Sequence, residues 1–206
     1  LVRVVPSDTG ALDGPGTPFL MGARSADGGV ITLADYMDPA VNAAFGGGLG
    51  FLKPLIRTQM LRKTGVMYDT SLRNSEDYYL IAHLLAEGAI MAFTPTTGYR
   101  YTIREGSLSH RLNPDLIQRI VDAEEAFQAR YGQGFGRDAQ AAARRRMSQL
   151  KNNRDFERVV AAMKARRPGG LVSAVARAGP SLGFIGKRLS EIAVAKAFGR
   201  ADPASR

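Results

Sequence analysis

The stretch Ser75-Glu76-Asp77-Tyr78-Tyr79-Leu80-Ile81-Ala82-His83-Leu84-Leu85 gives the clearest structural signal in the 206-residue chain. Ser75 is a natural N-cap, Glu76 and Asp77 fill a first turn, and Leu80, Ile81, Leu84 and Leu85 form an apolar stripe at helical spacing. Gly88 supplies the stop. The spacing therefore predicts a helix that opens on two adjacent carboxylates. Such a pair complements the helix dipole, which is its ordinary role. The same dipole also favours an ionised carboxylate, which a general base for an alcohol needs. A glycosidase pair fits less well, because adjacent residues rarely face each other across one bond.

Upstream of this helix, residues 6–29 are rich in Gly, Asp, Ser and Pro and read as a long connection. Residues 30–33 suit a short strand, residues 33–45 a short helix, and residues 51–57 an apolar, β-compatible segment. Met60–Lys63 has the pattern of a helical turn closed at Gly65. The glycines at 46, 47, 48 and 50 break the chain, yet Phe51 and Lys53 stand where a dinucleotide-binding loop needs glycine. Gly186-Lys187-Arg188 lacks the other elements of a phosphate loop. Downstream, residues 89–93 and 99–103 are strand candidates separated by Pro95 and Gly98. Alternation puts Tyr99, Tyr101 and Ile103 on one face and Arg100 on the other. Either this is an ordinary half-buried strand, or Arg100 and Arg104 belong to a polar rim for sugar hydroxyls or a diphosphate. Asn113-Pro114 then opens a second long helix, residues 137–165 continue helical, and residues 170–199 hold one or two more around Gly179-Pro180.

Composition narrows the function classes. Apolar residues make up 45% and charged residues 23%, as in a folded globular protein. There are no cysteines, which excludes disulfides and thiolate metal sites. His83 and His110 lie too far apart, without supporting carboxylate spacing, to form a metal site. No apolar run approaches the roughly 20 residues of a membrane span. The chain starts at Leu1 within a strand-like alternation, so the expectation is a piece of a longer protein.

The net charge of +9 is uneven: residues 141–206 carry 15 basic and 4 acidic side chains, while residues 1–140 are slightly acidic. Arg144-Arg145-Arg146, Lys164-x-Arg166-Arg167 and Lys187-Arg188 are interleaved with apolar residues. Three readings are open for this tail: a solvated helical face, attachment to an anionic membrane, or nucleic-acid binding. The last has the right charge but lacks an aromatic platform or a recognised motif.

The succession of residues 50–57, 70–79 and 87–109 resembles the second half of bacterial family 2 glycosyltransferases, those that build exopolysaccharide and other surface glycans. Its markers are Lys53-Pro54-Leu55, Glu76-Asp77, Tyr99-Arg100-Tyr101, Arg104 and Ser107, and the similar part covers residues 30–110. The resemblance implies an α/β chain: a partial GT-A fold over residues 1–112, lacking the donor-binding half, then a basic helical extension over residues 113–206. It implies inverting transfer from a nucleotide sugar to a glycan or lipid-linked acceptor hydroxyl, with Asp77 as the base. Glu76, Lys53, Arg100 and Arg104 are the implied substrate-binding residues. In such enzymes an Asp-x-Asp motif holds a divalent metal, Mg or Mn, against the departing diphosphate. This chain has Asp35-x-x-Asp38 but no Asp-x-Asp, so the metal ligands are expected outside it. The chain has no tryptophan and thus no Gln-x-x-Arg-Trp signature, which favours single-sugar addition over polymerisation. The implied location is cytoplasmic, peripheral at the inner face of the bacterial plasma membrane, and the fragment alone is expected to be inactive. The alternative from another class is a non-catalytic basic helical module that binds anionic membrane or nucleic acid.

Overall fold

The computed structural model describes residues 2–6, 17–18, 29–44, 49, 52–94, 99–103, 114–166 and 168–197. Helices dominate these residues, so the α/β expectation holds only in a small strand component. Most of the connection over residues 6–29 lies outside the described residues, as do residues 45–48, 50 and 51 of the glycine-rich break.

Strands β1 (Val2–Pro6), β2 (Thr17–Pro18) and β5 (Tyr99–Ile103) form a three-stranded sheet in the order β2-β1-β5. The pair β1–β5 is parallel, with Arg3 in register with Arg100, and the pair β1–β2 is antiparallel. A parallel pair needs a long crossover, which residues 7–98 supply. Strands β3 (Gly29–Ile31) and β4 (Met91–Phe93) form a separate antiparallel pair with Ile31 opposite Met91. The apolar segment before Arg57 is not a strand: residues 53–57 are irregular, and Leu55 is fully exposed.

The helix expected over residues 33–45 is two helices, α1 (Leu33–Met37) and α2 (Pro39–Ala44). Pro39 accounts for the break, since the residue before a proline is driven out of the helical region, and Asp38 is extended. Helix α1 begins with a capping box: Thr32 Oγ1 accepts from the Asp35 N–H and Asp35 Oδ2 accepts from the Thr32 N–H, both at 3.1 Å. Asn42 donates to the Tyr36 and Asp38 carbonyls and accepts from the Leu49 N–H, which fixes the buried Leu49. Helix α3 (Thr58–Thr64) ends at Gly65, whose φ of 65° suits a residue without Cβ.

Helix α4 (Glu76–Ala86) matches its sequence signal but starts differently. Ser75 does not cap it; the residue sits in the left-handed region at φ 67°, and its hydroxyl donates to Asn74 Oδ1 instead. Tyr78, Tyr79, Leu80, Ile81, Ala82, Leu84 and Leu85 are all buried, so α4 is buried nearly all round rather than along one stripe.

Helices α5 (Pro114–Tyr131), α6 (Arg137–Lys164), α7 (Pro168–Arg177) and α8 (Leu182–Ala197) complete the chain. None among the described residues is long and apolar enough to cross a membrane. The chain divides into two compact units whose boundaries fall within α5 and α6. One unit comprises residues 1–107 and 123–146, the other residues 108–122 and 147–206.

In the first unit, Glu124 is wholly buried on α5 and has three partners. Arg146 Nε donates to it at 2.8 Å, the Tyr79 hydroxyl at 3.0 Å and Gln128 at 2.9 Å. The Arg146 guanidinium also lies over the Tyr78 ring, 3.5 Å from its centroid. A second arginine of the same triplet, Arg145, donates to Asp38 from a more exposed position, with 52% of its side chain accessible. Arg145 and Arg146 are thus tied into the fold, and the acidic pair Asp35/Asp38 serves one cap and one ion pair.

In the second unit, Phe156, Val159, Ala178 and Ile185 form a core, against which Leu171, Ala174, Phe184 and Leu189 pack. Asp155 is buried beside them and accepts from the Ser181 hydroxyl and from Arg154 Nε, both at 2.9 Å. Arg154 and Arg158 in turn donate to Gln118.

Removing one partner of a buried pair strands the other. Glu124→Ala is expected to lower the free energy of unfolding by about 3–5 kcal/mol. Arg145→Ala, which removes the exposed partner of Asp38, should cost clearly less. Denaturant midpoints at constant slope measure both. Ser75→Gly removes the left-handed strain, so stability should rise by up to about 1 kcal/mol; a fall would show that the Ser75–Asn74 bond outweighs it.

Candidate functional site

The start of α4 combines three features. Ser75 is one of only two non-glycine residues with positive φ among the described residues, the other being Arg166. Strained backbone of this kind is enriched at functional sites, where surrounding contacts maintain it. Immediately after it come Glu76 and Asp77, both half-buried, with Asp77 Oδ1 accepting from the Tyr78 N–H at 2.8 Å. The next two side chains, Tyr78 and Tyr79, are held by Arg146 and Glu124. The carboxylates are therefore placed from behind by a buried ion pair on α5 and α6.

Tyr36 of α1 is 1% exposed and stacks on Tyr78, with ring centroids 4.9 Å apart and planes 17° from parallel. Burial pushes the Tyr36 phenol well above its ordinary pKa, and the neighbouring Tyr78 and Asp77 push it further. The Tyr78 phenol is also raised, by burial first. Among the described residues the Tyr78 hydroxyl has no hydrogen-bond partner, which is uncommon for a buried polar atom. The rings of Tyr36 and Tyr78 thus form a buried, neutral backing for the turn.

Of the remaining sequence candidates, only Lys53 has a side chain among the described residues. Lys53 is exposed in the irregular segment before α3, and among the described residues no hydrogen bond or ion pair joins it to Glu76 or Asp77. Arg100 is in β5, and Arg104 lies outside the described residues. Tyr36 and Arg146 escaped sequence reasoning because nothing local marks them: one lies in a short helix and the other in a run of three arginines. The only available signal was the density of tyrosines at 78 and 79, which need partners when buried.

At the other end of α4 an open cavity of about 340 Å³ is lined by Leu85, Ala86, Arg130, Tyr131 and Phe135, among others. The Tyr131 hydroxyl donates to Glu87 at 2.9 Å and lies 3.3 Å from His83 Nδ1. Burial, then the charge of Arg130, hold the His83 pKa below its ordinary value, so the imidazole is neutral at pH 7. Asp77 does not line this cavity. Among the described residues no group of three or more His, Asp or Glu side chains could hold a metal ion.

Sequence comparison places the chain beside proteins of polysaccharide synthesis. It is 34% identical over 164 residues to the succinoglycan biosynthesis protein ExoO of Rhizobium meliloti (strain 1021), covering 79% of this chain and 46% of ExoO. It is 37% identical over 106 residues to the succinoglycan biosynthesis protein ExoU of the same organism, covering 52% of this chain and 30% of ExoU. The chain spans less than half the length of each of these relatives. No protein-family model and no solved structure matches it.

Proposed function

We propose that this chain is the acceptor-side, base-carrying part of an inverting family 2 glycosyltransferase of GT-A type that acts in exopolysaccharide synthesis. The observation that carries the reading is the Glu76-Asp77 turn: two carboxylates behind a strained residue, anchored by Glu124 and Arg146. The likeness to two proteins named for succinoglycan biosynthesis supports the pathway class.

In this reading the Asp77 carboxylate accepts the proton of the acceptor hydroxyl as its oxygen attacks the anomeric carbon of the nucleotide sugar. The bond from that carbon to the diphosphate breaks, the nucleoside diphosphate leaves with the electron pair, and configuration inverts. Glu76 binds the acceptor beside Asp77. Lys53, Arg100 and Arg104 are proposed to carry positive charge toward the diphosphate or acceptor, a role that does not require them to touch Asp77.

A divalent metal, Mg or Mn, would offset charge on the leaving diphosphate. The described residues offer no group of three or more ligands for it, and in this reading the metal and the nucleotide sugar are held by a donor-binding region. The activity is therefore proposed for a protein in which this chain is joined to a donor-binding region, working at the cytoplasmic face of the bacterial plasma membrane on a glycan or lipid-linked acceptor.

In such a protein Asp77→Asn should reduce kcat for sugar transfer by about 10²–10⁴-fold, the range of general-base contributions. Circular dichroism and donor binding should stay unchanged. Transfer at the normal rate in the Asn variant would remove Asp77 from the base role.

A further inference from the structure

We propose that α7, α8 and the end of α6 form a docking surface for an anionic lipid bilayer, on grounds independent of the glycosyl-transfer reading. The observation begins with the two sides of α7. Leu171 and Ala174 pack on the core of the second compact unit, whereas Val172, turned away from it, is 70% exposed and Val175, at the edge of the packed side one turn from Leu171, is 38% exposed. A helix in a soluble protein ordinarily presents polar side chains there. Met163 at the end of α6, Leu182 at the start of α8 and Val194 further along are also exposed, at 49%, 45% and 54%.

Charge identifies the partner. From Val159 to Ser190 the sequence holds Lys164, Arg166, Arg167, Arg177, Lys187 and Arg188 and no acidic residue at all. Arg166, Arg177 and Lys187 are exposed, and no ion pair occupies them among the described residues, while Lys164 lies in the field of Glu157. The upstream cations differ: Arg145, Arg146, Arg154 and Arg158 are all paired with carboxylates. Arg166, Arg177 and Lys187 therefore lie along the same stretch of sequence as the uncovered apolar side chains. Short helices that combine exposed apolar groups with unopposed cations suit the interface of an acidic bilayer, where the apolar groups enter the acyl boundary and the cations meet headgroups. A nucleic acid would use the cations but leave Val172, Val175 and Leu182 in water. Among the described residues no helix is long and apolar enough to cross a membrane.

The test is co-sedimentation of the 206-residue chain with vesicles of phosphatidylcholine, with and without phosphatidylglycerol. Binding should require phosphatidylglycerol, weaken roughly five-fold for each of Arg177→Gln and Lys187→Gln, and fall steeply in 0.5 M salt. Val172→Asp should weaken it at least about ten-fold while helicity by circular dichroism is retained, because the residue is 70% exposed. If that variant unfolds, Val172→Ser with Val175→Ser gives the same reading at smaller amplitude. Equal binding to pure phosphatidylcholine overturns the proposal. So does phosphatidylglycerol binding unaffected by the valine substitutions, or tighter capture of a DNA duplex than of the acidic vesicles.

Discussion

A carboxylate sealed from water, Glu124, is the constraint on which the first compact unit depends. An isolated buried charge would be strongly unfavourable, and only a full set of donors makes it tolerable. Arg146, Tyr79 and Gln128 provide that set, and they come from three helices. The ion pair adds little net stability compared with a well-packed apolar substitute. What it contributes is directional: α4, α5 and α6 meet in one register, since any other leaves a charge unmatched. The Glu76-Asp77 turn inherits its position from that register.

Much of the local structure was legible in the sequence. Helix α4, the turn at Gly65, the proline-initiated α5, the long α6 and the strands β3, β4 and β5 follow from periodicity, glycine stops and caps. The errors have local causes as well. Ser75 has the composition of an N-cap but occupies the left-handed region, a choice fixed by its surroundings rather than by residue type. Pro39 splits what periodicity reads as one helix. Residues 53–57 are apolar but find no strand partner, and strand propensity without pairing is weak.

The candidate site was legible only in part. Glu76 and Asp77 announce themselves by adjacency and by their place at a helix start. Tyr36 and Arg146 could not be found that way, because their role consists of contacts to residues far along the chain. The arginine triplet shows the difficulty most clearly. In sequence Arg144, Arg145 and Arg146 look equivalent, and a count of charges assigns all three to a basic tail. In the fold Arg145 meets Asp38, Arg146 is drawn under Tyr78, and Arg144 stays exposed. Net charge describes what a surface attracts only after internally matched charges are removed.

The long reach of the Glu124 contacts also sets an order of events during synthesis. Tyr79 and Glu124 are separated by 45 residues, and Glu124 and Arg146 by another 22. At ribosomal rates of about 5–20 residues per second, the two tyrosines wait roughly 3–13 s before both partners have been made. For that interval the start of α4 is a cluster of uncovered aromatic rings, the kind of surface that chaperones bind and that aggregates grow from. The geometry around Asp77 is thus completed late, when the last arginine of the triplet closes over Tyr78.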